Sequence, residues 1–443
     1  MRGFLAALER GGELLRVTRP VGLVHEISAF LGECASGRAV LFEQTGTGIP
    51  VVGNVLNSRS RIARALGVEI DAIEPRIMRA VDQPLAPAPV KSAPWQEIEV
   101  DNPDLATLPV PTFFEHETGP YITGGVIVAK DAKTGRRNVS IARLKLLGGN
   151  RAFIGIAPNH HLAVLAREAH ARGEKLEIAV TIGNHAAVLL ASTLYLRLGD
   201  DEYEAAGALM GEPLMLARCG RVDLEAAAAC EMVLEGTIDS GEMVEEGPVS
   251  EYHGMYVHYK RGPVVTFQRL SRRKDAIFQV VQPGFYPEHI LMGAVSIGAT
   301  TGRAVGTAVP SFHRLVVTDA GCGRLSAVIV LCDPAPGDAR KAMFAAWASV
   351  NLLKNVVVVD ADIDPLDPMR VDWAISTRTR YERDIVVVPG VRADRSDPMA
   401  AEGLIAKMGI YATMTAGDRK DWDIAAPPRD VVDKIRLELK NLI

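Results

Sequence analysis

Between about Leu108 and Phe267 the chain passes through seven short β-like runs: "GGVIVAKD", "NVSIARLKLLG", "RAFIGIA", "LEIAVTIG", "EPLMLARCG", "CEMVLEGTI" and "PVVTFQRL". Glycines and prolines punctuate them. Strands this short and numerous suggest a barrel or a sandwich, with one helix at "HHLAVLAREAHARG". The flanks read differently. From about Thr307, nearly all-apolar strands ("RLVVTDAG", "SAVIVLCD", "NVVVVDADID") alternate with the helical "DARKAMFAAWASVNLL", the pattern of a sheet covered on both faces. Near the N-terminus, "GFLAALERGG" is a short helix stopped by Gly11 and Gly12, followed by strands at "ELLRVTRPV", "RAVLFEQ" and "IPVVGNV" and a helix at "SRSRIARALGV". The stretch "QPLAPAPVKSAPW" has four prolines in 13 residues and predicts an irregular linker. The class is therefore mixed α/β: an N-terminal α/β region over 1–105, a β-rich centre over 106–305, and a C-terminal α/β unit over 306–443.

A chain of 443 residues is long enough for two or three cores. Its net charge of −5 and the lack of basic runs interleaved with aromatics argue against a nucleic-acid partner. Five cysteines without a CxxC pair indicate neither a disulfide framework nor a zinc knuckle. No apolar run reaches membrane-spanning length, and Glu9, Arg10 and Glu13 interrupt what a secretory signal would need. The cytoplasm is the expected location.

Polar residues inside the β-rich centre are the candidates for chemistry. With a period of 2, Asn138 and Arg143 in "NVSIARLK" point to opposite faces, so an unbroken strand gives them separate tasks or leaves one idle. His160 and His161 sit where a strand passes into a helix, as cap, core or ligand. Asp200, Asp201, Glu202 and Glu204 crowd a helix start, where carboxylates suit the dipole with no further role. Glu246 and Glu251 flank Gly247-Pro248, which can be neither helix nor continuous strand; a surface turn is the plain explanation.

Taken together and in order, "NVSIAR", the His161 segment, "DEYEAAGALMGEPL", "EMVLEGTI", "EGPVSEYHG", "KNVVVVDADID" and "KMGIYAT" resemble the UbiD family of reversible decarboxylases. The resemblance implies that the β-rich centre is a flavin-reductase-like split barrel and that the cofactor is prenylated FMN, made by a flavin prenyltransferase. It implies a Mn²⁺ or Mg²⁺ ion on Asn138, His161 and Glu202, donors suited to a hard cation. It implies K⁺ on backbone oxygens of Ala191, Ser192 and Leu194. Ser140, Ile141, Arg143 and His160 would border the cofactor, with Lys354 near its phosphate. Arg143, Glu246 and Glu251 match the catalytic set. Arg143 would hold the substrate carboxylate, Glu246 would link it to Glu251, both carboxylates facing one cavity, and Glu251 would deliver the proton that replaces CO₂.

The implied reaction is reversible non-oxidative decarboxylation of an aromatic, heteroaromatic or α,β-unsaturated acid through a covalent prenylated-FMN adduct. The C-terminal unit would support a homodimer or higher homo-oligomer. The family's common "EGPFG" is "EGPVS" here, which leaves substrate choice open around Val249 and Ser250. Ser296 and Ile297 are expected to line the substrate pocket, with Arg303 reading a second anionic group. The preferred substrate is an aromatic or heteroaromatic acid. An FMN-dependent reductase and a non-catalytic flavin-binding scaffold are the competing readings.

Overall fold

The computed structural model describes residues 1–414 and 425–442. Its first helix, Arg2–Arg10, buries Leu5 and Leu8 and gives way at Gly11 and Gly12 to the strand Leu14–Pro20. That strand pairs with Ala39–Gln44, then Val51–Gly53, then Phe278–Gln279 from far along the chain. The helix Arg59–Leu66 is capped by the Ser58 side chain and ends at Gly67.

The proline-rich segment departs from the expected irregular linker. Ala88–Val90 forms a strand on the edge of a three-stranded sheet, parallel to Met215–Arg218. Pro89 has no N–H to donate, and an edge strand needs only one side paired. Met215–Arg218, one of the seven β-like runs, therefore lies outside the central sheet.

Among the described residues that central sheet has nine strands, eight in one path and Ile98–Asp101 paired beside it with Arg261–Arg272. Its path runs from Tyr121–Ile122 through Arg143–Gly148, Arg151–Gly155, Arg261–Arg272, Met232–Glu245, Leu176–Ile182 and Val126–Lys130 to Arg137–Ile141. Arg137–Ile141 ends the path and Arg143–Gly148 stands second, yet only Ala142 separates them in sequence. Two Cα steps reach at most about 7 Å, so the sheet must curl until its ends meet: a split barrel.

Alternation along these strands serves two cores. Ile127, Ala129, Ile178, Val180, Leu234, Val265 and Phe267 fill one. Val126, Val128, Ala179 and Val233 pack in the other with the helices Ala186–Ala191 and Glu202–Met210. Fully burying a valine, leucine or phenylalanine contributes about 1.5–3 kcal/mol, and a one-residue slip would exchange the two faces.

In the C-terminal unit the strand order is Phe312–Val317, Ser326–Leu331, Asn355–Asp360, Leu404–Ala412 and Ile385–Arg392. Ala327, Ile329 and Leu331 pack with the helix Asp338–Ser349. Val328 and Val330 pack with Val371 and Ala374 of Pro368–Arg378. Both faces are thus covered, as the apolar strands require. The 22-residue helix Pro287–Ala308 places Leu291, Met292 and Val295 in the core that holds Val126 and Ala186–Ala191, and Ala294, Ile297 and Val305 in the C-terminal one. The boundary expected at 305/306 falls inside this shared helix. Among the described residues no helix is long and apolar enough to cross a membrane.

Candidate active site

A cavity of about 490 Å³ borders the barrel seam, with the first turns of Pro287–Ala308 in its wall. Its size is typical of small-molecule and cofactor sites. Asn138 and Arg143 both line it. The strand breaks at Ala142, so the alternation restarts there and the opposite-face argument no longer applies.

Arg143 pairs in register with Gly155, where a Cβ would lie 2.8 Å from the guanidinium carbon. The glycine leaves room for the guanidinium. Arg143 Nε and Nη2 donate to the Glu246 oxygens at 2.5 and 2.8 Å, and Nη1 stands 3.6 Å from Glu251 Oε1. Burial opposes the arginine's charge, and the Glu246 pair more than offsets it, leaving its pKa raised.

Glu246 itself is fully buried and lies off the cavity wall. The expected order, with Glu246 linking Arg143 to Glu251 and both carboxylates facing the cavity, is therefore corrected: Arg143 is the middle member. The physical cause lies at Gly247. It takes φ +86°, and a Cβ there would fall 2.7 Å from Thr118 Oγ1. Glu246 is thereby held inward, its backbone carbonyl accepting from Lys145 Nζ at 2.5 Å and Thr118 Oγ1 at 3.2 Å.

Glu251 follows the short strand Val249–Ser250 and lines the cavity. Its Oε1 accepts from Tyr259 Oη at 2.9 Å. The Tyr259 ring is also 5.1 Å from Arg143 Cζ and 4.2 Å from Arg395 Cζ. Sequence reasoning missed Tyr259, which sits outside any regular strand and so offers no periodic signal. Of the two departures beside the acid, Val249 is buried in the core and Ser250 joins the wall.

Asn138, His161 and Glu202 share another part of the wall. Glu202 opens its helix behind the Asp201 cap; its carboxylate accepts from Val139 N at 2.6 Å and Asn138 Nδ2 at 3.2 Å. Burial pushes its pKa up to about 8 despite those bonds. His160 caps the helix His161–Ala171, its Nδ1 accepting from Leu162 N, and burial, with His161 and Arg395 adding to it, pulls its pKa down to about 4. Burial also lowers His161, against the pull of Asp200.

Residues 5–81, 88–286 and 290–412 match in turn the N-terminal, Rift-related and C-terminal domains of the 3-octaprenyl-4-hydroxybenzoate carboxy-lyase family, UbiD. The chain belongs to the UbiD family. It is a UbiD-type carboxy-lyase, a decarboxylase. A relative from Methanothermobacter thermautotrophicus, named anhydromevalonate phosphate decarboxylase, is 36% identical over 93% of this chain and 96% of its own. The UbiD-class enzyme HmfF from Pelotomaculum thermopropionicum, solved with FMN, superposes with TM-score 0.93 at 37% identity, covering 97% of this chain and 98% of that one. An evolved dimeric form of HmfF, solved with prFMN, gives 0.89 at 35% identity, covering 96% of each chain.

The residues of this UbiD chain suit the implied groups. Among the described residues Asn138 Oδ1 and Ser140 Oγ are buried without a hydrogen-bond partner, and the buried Glu202 carboxylate pairs with no Lys or Arg. An amide oxygen, an imidazole and a carboxylate are together a donor set for Mn²⁺ or Mg²⁺. Ser140, Ile141 and His160 line the same cavity, as do Ser192 and Leu194.

Other expected residues fall elsewhere. Ala191 lies in the core at the end of Ala186–Ala191, its carbonyl accepting from Leu194 N. Lys354 stands off the wall, 3.5 Å from Asp397. Ser296 is buried and bonded to Thr193, and Ile297 packs in the C-terminal core. Arg303 is 55% exposed and paired with Asp82. The helix contributes its first two turns instead, through His289, Met292 and Gly293; the rest runs away from the cavity between two cores. Arg324 and Asp394, both on the wall, were also missed, for they come from loops with no periodic pattern.

Proposed function

We propose that this UbiD chain catalyses reversible non-oxidative decarboxylation of an α,β-unsaturated carboxylic acid, with prenylated FMN in the cavity and Glu251 as proton donor. The arrangement that carries this reading is the Arg143 guanidinium held between buried Glu246 and cavity-facing Glu251. When bound, the prenylated flavin supplies the electrophilic carbon that accepts the electron pair left by departing CO₂, which no side chain can delocalise. Glu246 fixes two donors of Arg143, which turns Nη1 toward Glu251 and a substrate carboxylate. Protonated Glu251 then gives its proton to the carbon that has lost CO₂. Tyr259 Oη, donating to Glu251, stabilises the carboxylate that results. In the carboxylation direction Glu251 takes that proton back.

Asn138, His161 and Glu202 would hold the divalent ion at the flavin phosphate, with Ser192 and Leu194 offering backbone oxygens to K⁺. Two observations favour an aliphatic unsaturated acid over the aromatic one preferred from sequence. The apolar wall is aliphatic, with Ile141, Leu194, Leu196, Val281 and Met292, and Tyr195 is its one phenolic ring among the described residues. The archaeal relative's name also denotes the dehydrated, and so unsaturated, form of a hydroxy acid.

The test is co-expression with a flavin prenyltransferase, an absorbance spectrum, and a CO₂-release screen of unsaturated and aromatic acids. Glu251→Gln is expected to keep flavin and metal while decarboxylation falls roughly 10²–10⁴-fold. Turnover near the parent rate in that variant would remove Glu251 from the role.

A further inference from the structure

The cavity wall carries a second guanidinium that the reaction above leaves idle. Arg324 lies in the connection between Phe312–Val317 and Ser326–Leu331 and meets the wall beside Met292 and Gly293. The fold makes room for it. Gly293 is inside a helix, where glycine costs about 1 kcal/mol relative to alanine, and a Cβ there would fall 2.7 Å from the Arg324 guanidinium carbon. The Tyr252 ring, its centroid 4.8 Å from the same carbon, gives the cation a second surface.

Among the described residues Arg324 has no carboxylate within ion-pair distance. Its donors reach only the carbonyls of His289 at 3.5 Å and Cys322 at 3.4 Å, the edge of hydrogen-bonding range. The carboxylates of the wall are engaged elsewhere: Glu251 with Tyr259, Glu202 with Val139 and Asn138, and Asp394 with Ser396 N and Oγ at 2.9 and 2.6 Å. A guanidinium partly withdrawn from water gains strongly from an anionic partner, and its planar fork matches phosphate or carboxylate through two parallel bonds.

We propose that Arg324 binds a second anionic group on the substrate, a phosphate monoester, an assignment that rests on the decarboxylation proposed above. One cavity then holds two guanidiniums with separate tasks. Arg143, braced by Glu246, takes the carboxylate that leaves; Arg324, unbraced by any acid, takes the group that stays. The substrate class is an unsaturated acid carrying a phosphate ester, and the archaeal relative's name contains both features.

The test uses holoenzyme from co-expression with a flavin prenyltransferase, with anhydromevalonate phosphate and its dephosphorylated form as probes. Binding is followed by calorimetry and turnover by CO₂ release. The parent enzyme is expected to bind the phosphorylated acid at least about tenfold more tightly. Arg324→Ala should raise Kd and KM for that acid roughly ten- to hundredfold, the loss of charge-assisted hydrogen bonds, while kcat changes less. Arg324→Lys should fall between, and Gly293→Ala, whose methyl displaces the guanidinium, should weaken binding in the same direction. Flavin content and Tm matched to the parent show that each variant is folded.

If Arg324→Ala keeps the parent's ratio of phosphorylated to dephosphorylated binding, or if the parent does not discriminate, the inference is overturned. A dicarboxylic acid bound through Arg324 more tightly than the phosphorylated acid overturns the choice of phosphate. Arg324-dependent binding with no CO₂ released from any acid supports the anion site and overturns the decarboxylation reading instead.

Discussion

Gly155→Ala probes the catalytic arginine without touching a titratable group. The added methyl would sit 2.8 Å from Arg143 Cζ and Nε and 3.0 Å from its Cγ. Ordinary carbon contacts need about 3.5 Å, so the guanidinium must retreat by about 0.7 Å. It has little freedom to do so, because its two bonds to Glu246 are already 2.5 and 2.8 Å long and that carboxylate is fully buried. Either the pair stretches, leaving Glu246 poorly compensated, or Nη1 shifts away from Glu251. A misplacement of about 1 Å in a catalytic constellation can cost 10²-fold in rate. We therefore expect kcat to fall roughly ten- to hundredfold on whichever acid the enzyme decarboxylates best. Flavin content should stay close to the parent's, since the atoms that a Gly155 methyl would crowd most closely are those of Arg143 and none of Asn138, His161 or Glu202. The assay is CO₂ release at saturating substrate, with flavin absorbance and Tm measured in parallel. A variant that folds, holds flavin and turns over within threefold of the parent would refute the claim that the glycine sets the arginine's position.

Glu202→Ala removes one donor of the candidate divalent site, and metal analysis should show loss of most Mn²⁺ together with much of the flavin. Full metal occupancy would contradict the assignment. His289, half-buried on the cavity wall, has its pKa pulled down to about 3 by lost hydration first, with Arg324 and Arg143 adding to it against a bond to the Gly284 carbonyl. The unfolded chain takes up that proton near pH 6.5, so between about 6.5 and 3 it binds more protons than the native state and stability falls as pH falls. At pH 5 this amounts to about 2 kcal/mol; Tm should drop less between pH 7.5 and 5 in His289→Gln, and an equal drop would argue against it. We also expect a homodimer. Val387 (59% exposed) and Met408 (37%) are cross-strand partners on the outer hairpin of the C-terminal sheet. Light scattering at micromolar concentration should give twice the chain mass, with Val387→Asp shifting it down, and a parent monomer would contradict the expectation.

Much of the site was legible because its residues come from short motifs whose spacing the chain itself enforces. Asn138 and Arg143 share one segment, His160 and His161 follow one strand, and Glu246 and Glu251 flank Gly247-Pro248. The mixed α/β class was readable from the change in strand texture, since strands buried on both faces and strands between turns differ in composition. The sequence could not say which glutamate faces the cavity. Period 2 assigns faces only within an unbroken strand, and both Ala142 and Gly247 interrupt one.

Tertiary structure alone decided which side chains from distant segments share the cavity. Arg303 and Arg324 are both arginines near apolar runs, yet one pairs with Asp82 at the surface and the other rests on Gly293 in the cavity wall. Tyr259 reaches Glu251 from irregular backbone, and Gly155 matters only because strand pairing sets it opposite Arg143. Local sequence fixes what a residue can do within a few positions of itself. Curling the sheet until Ile141 and Arg143 meet across Ala142 sets what each residue faces, and that closure depends on pairings spread over the whole barrel.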